Sequence, residues 1–251
     1  MGSELQQGVY ALIPALAYLI VSSLTALLCG PDSDVCLRVL IGALIMIGVD
    51  IFLYRRQDAP GKQVLQSGAD GGRQVQEMTQ AAGGLRTANV RSAWLLRLGL
   101  CVAAFAAGGL CSYLAGVVMS ALHLDRIFSN ATQELMLRSP LWLQILGPGL
   151  SAAAAEELTY RGLVCSRLRK CLSHVAAAIL TSLLFAAGHG NMIQALYAFP
   201  MALLLQQLRH LSETETGRRL QVITHPAGVL IWEICFHAGA NLLTITLQAL
   251  P

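Results

Sequence analysis

The chain has 251 residues, of which 55% are hydrophobic and only 12% charged, with a formal net charge of +3. Soluble domains carry roughly twice that share of charge, so an ordinary water-soluble globule is excluded, and so small a net charge gives no footing for a nucleic-acid partner. Several uncharged runs near the length of a bilayer crossing point instead to an all-α, polytopic membrane helical bundle.

The first uncharged run is Gly8 to Cys29. It is too long for the apolar region of a signal peptide and no basic residue precedes it, so a retained span is expected. The second, Cys36 to Tyr54, is interrupted by Asp50, a third follows Arg97, and a fourth runs from Leu141 to Val164. From Cys171 to Leu208 there is no Asp, Glu, Lys or Arg. At about 20 residues per crossing, this stretch is two helices broken at GHGN, Gly188 to Asn191. The last run, from Pro226 onward, has Glu233 as its one formal charge. The sum is about seven transmembrane helices.

The connector Arg55 to Arg91 is basic and rich in Gly, Gln and Ala, and is the candidate for flexible chain. Ser166 to Lys170 and Arg209 to Arg219 are also basic, whereas Pro31 to Asp34 and His123 to Arg138 are not enriched in Lys or Arg. This alternation places the N-terminus in the cytoplasm of a multi-pass cell-membrane protein. Residues 1–92 then form an N-terminal two-span region with a polar cytoplasmic loop, and residues 93–251 a core bundle. The seven cysteines show no metal-ligand spacing. Cys29 and Cys36 flank one short loop and would be able to pair if it faced an oxidising side.

Ionisable residues inside spans are costly and mark function by default. They gather in the C-terminal half: Glu156, Glu157 and Arg161 in the fourth run, His189 ending the fifth, Glu233 and His237 in the seventh, with Asn241 one turn on. Arg38, Asp50 and Arg97 lie near span ends, where snorkelling is cheap. Adjacent helical residues point about 100° apart, so Glu156 and Glu157 do not face one cavity together. Glu157 and Arg161 have the spacing of an ion pair. Glu156 is thereby left free to act as a general base, with Tyr160 four residues on placed to donate a hydrogen bond to it. Glu233, His237 and Asn241 stack at four-residue spacing. The carboxylate there would select the histidine tautomer, and the amide would stabilise a developing oxyanion. Phe185 lies one turn before His189 as an apolar neighbour. His123, His174 and His225, near span ends, read as interhelical hydrogen-bonding partners.

Three motifs therefore stand in order, each in its own expected span: EELTYR from Glu156 to Arg161, FAAGH from Phe185 to His189, and HAGAN from His237 to Asn241. Over roughly 141–247 they resemble the EExxxR, FxxxH and HxxxN motifs of the CPBP intramembrane proteases, also called the Abi or type II CAAX prenyl endopeptidase family. The resemblance implies core helices that enclose a cavity, and a reaction in which Glu156 activates a water to attack the scissile amide. It implies that His189 helps orient or deprotonate that water and that His237 and Asn241 stabilise the oxyanion. Glu157 and Arg161 would be supporting residues, and Tyr160, Phe185 and Glu233 join them by their spacing. The implied partners are a peptide or membrane-protein substrate and membrane lipid. Relative to bacterial members, the connector Gln206 to Gly228 is longer and more polar.

Glutamate with two histidines could bind zinc, but these ligands come from three helices without HExxH, so no cofactor is expected and zinc is the alternative. A catalytically silent protein for bacteriocin self-immunity or scaffolding is the alternative function. A transporter with a proton relay is disfavoured by the single cluster and the lack of internal repeats. One geometric condition remains. Glu156 falls in the cytoplasmic half of its span and His189 near the far end of the fifth, so a shared site requires the fifth span to start below the membrane plane or to continue past GHGN.

Overall fold

Runs of Leu, Ala and Ile set the secondary structure, and the computed structural model is helical throughout. It describes residues 2–57, 90–128, 131–213 and 226–249, and no strand occurs among them. The long helices α1 (Gly2–Cys29), α2 (Val35–Gln57) and α3 (Val90–Ala121) come first. Two short helices, α4 (Leu124–Ile127) and α5 (Ala131–Leu137), lead into α6, which is continuous over residues 141–168. Then follow α7 (His174–Gly188), α8 (Met192–Glu213) and α9 (Pro226–Ala249).

Four stretches, Gln6–Cys29, Val35–Arg56, Arg97–Ala121 and Leu230–Ala249, are long and apolar enough to cross a bilayer. This is a multi-pass helical membrane protein. The remaining expected spans are helical but depart from a plain crossing: α6 is interrupted by π turns, α7 has only 15 residues, and α8 carries Gln194, Gln206 and Gln207. The expected flexible connector lies almost wholly outside the described residues, as do His225, Arg218 and Arg219.

Local chemistry fixes the element ends. Asp34 caps α2, its Oδ1 accepting from the backbone N–H of Cys36 at 2.8 Å and of Leu37 at 3.1 Å. The same oxygen accepts from the Ser139 hydroxyl at 2.8 Å, tying that cap to the turn before α6. Cys36 is buried there with its thiol on the Met136 carbonyl, and Cys29 and Cys36 are both free thiols rather than a disulfide. Within α6, Pro148 lacks an N–H and is flanked by Gly147 and Gly149. The α pattern gives way there to π turns over Ile145–Ser151. Gly147 is required by close approach, since a Cβ on it would stand 2.6 Å from the Cys36 carbonyl oxygen. A second π segment covers Glu157–Cys165.

Helices α3 and α9 cross through reciprocal small-residue contacts. A Cβ on Gly108 would strike the Phe236 carbonyl, and one on Gly239 would strike the Phe105 carbonyl. Ser112 and Thr244 hydrogen-bond across the same seam at 2.7 Å. With no hydrophobic drive between helices in lipid, such close approach is what holds them. Gly239→Ala is therefore expected to destabilise the protein by about 1–3 kcal/mol, as overpacking does, read as a lower thermal midpoint in detergent. Gly108→Ala added to it should cost less than it does alone, because the two share one crossing.

At 15 residues α7 is shorter than the about 20 that a crossing needs, and His189 at its end lines one cavity with Glu156. Gly190, at φ +70°, permits the reversal that follows. The Asn191 side chain then caps α8 by accepting from the Gln194 N–H at 2.8 Å.

Candidate active site

Glu156 ends a short α stretch of α6 and Glu157 begins its second π segment. Glu157 turns into the protein. Its Oε1 lies 3.1 Å from Nη1 of Arg161, and both side chains are 0% exposed. The guanidinium also sits over the Phe185 ring, 4.4 Å from its centroid. Buried charges persist in an apolar bundle when paired in this way.

Glu156 faces a cavity of about 250 Å³ and keeps 15% exposure. Its Oε1 accepts from the Tyr18 hydroxyl at 2.9 Å, and its Oε2 lies 3.6 Å from Nε2 of His237. The other nitrogen of that ring, Nδ1, lies 2.8 Å from Glu157 Oε1. One imidazole thus joins the two glutamates. The buried carboxylate accepts the hydrogen bond of Nδ1–H and thereby turns Nε2 to Glu156 and the cavity.

His189 lines the same cavity, with Nδ1 2.9 Å from the Phe185 carbonyl. Phe185 stands between the two histidines, edge-on to His189 at 4.8 Å and to His237 at 5.7 Å between centroids. Asn241 also lines the cavity and donates one Nδ2 proton to the Pro148 carbonyl at 2.8 Å, so α9 is tied to the first π segment. The three motifs therefore converge on one cavity.

Three sequence expectations are corrected. Tyr160 does not donate to Glu156. It is buried against Phe185 and Tyr18, with centroids 5.3 and 5.9 Å away, and its hydroxyl packs on Gly188. The donor is Tyr18 of α1. Glu233 does not hold His237, because Glu157 has taken that nitrogen. Glu233 is 2% exposed, and neither of its oxygens has a hydrogen-bond partner among the described residues. Asp50 is not a snorkelling residue. It is 1% exposed, accepts from the Thr159 hydroxyl at 2.6 Å and faces the Arg167 charge. His174 meets another helix through its ring, stacking on His210 of α8 at 4.3 Å.

Tyr18 was missed because no motif contains it. The available signal was a phenol in the middle of an apolar run, a polar handle that needs a partner when buried. Asp50 had the stronger signal, a carboxylate inside a span. As to metal, no three His, Cys, Asp or Glu side chains among the described residues are grouped to hold an ion. The Nδ1 atoms of His189 and His237 both face oxygen acceptors.

Residues 138–243 match the family described as type II CAAX prenyl endopeptidase Rce1-like. No curated protein and no solved structure matches the chain. Helices α1 to α5, and with them Tyr18, lie outside the matched residues.

Proposed function

We propose, from the membership of residues 138–243 in the Rce1-like family of type II CAAX prenyl endopeptidases, that the chain is a glutamate-dependent intramembrane endopeptidase. Glu156 takes a proton from a cavity water, the oxygen adds to the scissile carbonyl carbon, and the proton passes on to the leaving amine as the C–N bond breaks. His189 orients that water. The oxyanion is received by the second amide N–H of Asn241 and by His237 acting as the imidazolium, with Nδ1–H held on Glu157 and Nε2–H turned to the cavity. Glu157 and Arg161 hold His237, and Phe185 spaces the two histidines.

One observation carries this reading. Of two adjacent carboxylates, Glu156 alone opens on the cavity, between the Tyr18 hydroxyl and His237, while Glu157 is fully buried on Arg161. The test is cleavage of a peptide library by the purified full chain in lipid, read by mass spectrometry. Cleavage is expected in the wild type and not in Glu156→Gln. Unchanged products from that variant would refute a glutamate base. The chemistry needs no cofactor, so a chelator should leave the rate unchanged; loss on chelation with rescue by zinc would overturn the metal-free mechanism.

Tyr18 belongs to the machinery on this reading, because it fixes one oxygen of the base. A hydrogen bond to a charged group contributes about 1.5–3 kcal/mol. Tyr18→Phe should therefore lower kcat by about 10- to 100-fold with KM little changed. The N-terminal region, residues 1–92, then supplies a site residue to the core, residues 93–251, instead of serving only as an anchor. The clustering of Arg55, Arg56, Arg97, Arg169 and Lys170 at one end of the bundle supports a cytoplasmic N-terminus in the cell membrane.

A further inference from the structure

A second cavity, of about 300 Å³, lies between α1 and α2 and adjoins the cavity of Glu156 through the shared walls Tyr18, Val39 and Thr132. Tyr18, Ser22 and Ala26 line it along α1, at the four-residue spacing of one helix face. Gly42 and Ala43 of α2 leave room that larger side chains would fill. The two helices stay close there, since a Cβ on Gly42 would stand 3.4 Å from the Thr25 Oγ1. Ser22 and Ala26 are exposed on a membrane-crossing stretch, so the cavity is open sideways, where lipid lies.

Among the described residues that line this cavity, Arg38 alone carries a charge. Its Nε is buried without a hydrogen-bond partner, and no carboxylate among the described residues pairs with its guanidinium. Asp34, one turn earlier, has its Oδ1 taken by Cys36, Leu37 and Ser139. Withdrawing a cation from water without an acceptor is costly, so the cavity calls for an anion that these residues do not supply. Arg38 is near the start of the crossing stretch Val35–Arg56, at the level where lipid headgroups stand. Val35, Val39 and Leu135 make the neighbouring wall apolar. A charged head beside an apolar lining matches an amphiphile rather than a free ion.

We propose that this cavity binds an anionic phospholipid, with its phosphate on Arg38 and one acyl chain laid along α1 from Ala26 toward Tyr18. A guanidinium takes a phosphate in a bidentate pair, and basic pockets between transmembrane helices take lipid headgroups. An uncompensated cation selects a lipid of net negative charge, because a zwitterion brings a cation of its own. The volume is at the small end for ligand pockets. It suits the phosphate and part of one chain, and the rest of the lipid stays in the bilayer through the opening at Ser22 and Ala26. The chain ends against Tyr18, whose hydroxyl holds Glu156. The binding does not depend on the endopeptidase reading and is measured without activity.

The experiment holds the purified full chain in detergent micelles doped equally with phosphatidylglycerol and phosphatidylcholine, and counts retained lipid by native mass spectrometry. The wild type is expected to keep one phosphatidylglycerol per chain, favoured about fivefold over phosphatidylcholine, the usual effect of one basic residue on an anionic lipid. Arg38→Gln should abolish that preference. Ala26→Trp, a change at an exposed position, fills the groove and should lower retention with Arg38 intact. Thermal unfolding of each variant shows which of them are folded, so the inference does not hang on one substitution. Equal retention of the two lipids by the wild type, or unchanged retention in either folded variant, would overturn it. So would displacement of the lipid by inorganic phosphate, which would mark a site for the free anion.

Discussion

Glu156→Gln is expected to lower peptide cleavage by about 10²- to 10⁴-fold, the usual contribution of a general base, while leaving the fold intact. The amide is nearly isosteric with the carboxylate and can still accept from Tyr18, but it cannot take a proton from water. Glu156 is the less buried of the two glutamates and is not the partner of Arg161, so its charge is not needed to neutralise the interior. The measurement is initial rate alongside thermal unfolding of the same preparation. A variant that kept its rate would leave His189 or His237 as the base.

Arg161→Met carries the opposite expectation, a large loss of stability. Removing the cation leaves the Glu157 carboxylate in an apolar interior with His237 beside it and the Arg209 charge farther off. Breaking one partner of a buried pair costs about 3–5 kcal/mol, a large part of a total that is often only 5–15 kcal/mol. The variant should accumulate poorly and unfold at a much lower temperature. Adding Glu157→Gln should restore part of that stability, since two neutral residues often replace a buried pair at small cost. It should not restore cleavage, because His237 would still lack the carboxylate that directs its Nδ1 proton. Stability without activity in the double variant separates the two tasks of Glu157.

The sequence made the site's membership legible, and the division between the glutamates, because helical spacing alone separates Glu156 from Glu157. It did not make the contacts across helices legible. Glu233 stands one turn from His237 and looked like its partner, yet the imidazole reaches Glu157 on another helix. Tyr160 stands one turn from Glu156, yet a residue 138 positions away donates to it. Four-residue spacing records which side chains share a face; it cannot say which face of which neighbour they meet. The π turns were equally hidden, although Gly147, Pro148 and Gly149 mark where the α pattern fails. The depth of His189 depended on the length of α7, which the GHGN break allowed but did not fix.

The most direct measurement sets Glu156→Gln and Glu157→Gln side by side, with cleavage rate and thermal midpoint taken on each. The result expected is that Glu156→Gln loses cleavage at a near wild-type midpoint, while Glu157→Gln lowers the midpoint clearly. Cleavage surviving in Glu156→Gln, or a midpoint that falls for Glu156→Gln and not for Glu157→Gln, would contradict the assignment of the two carboxylates.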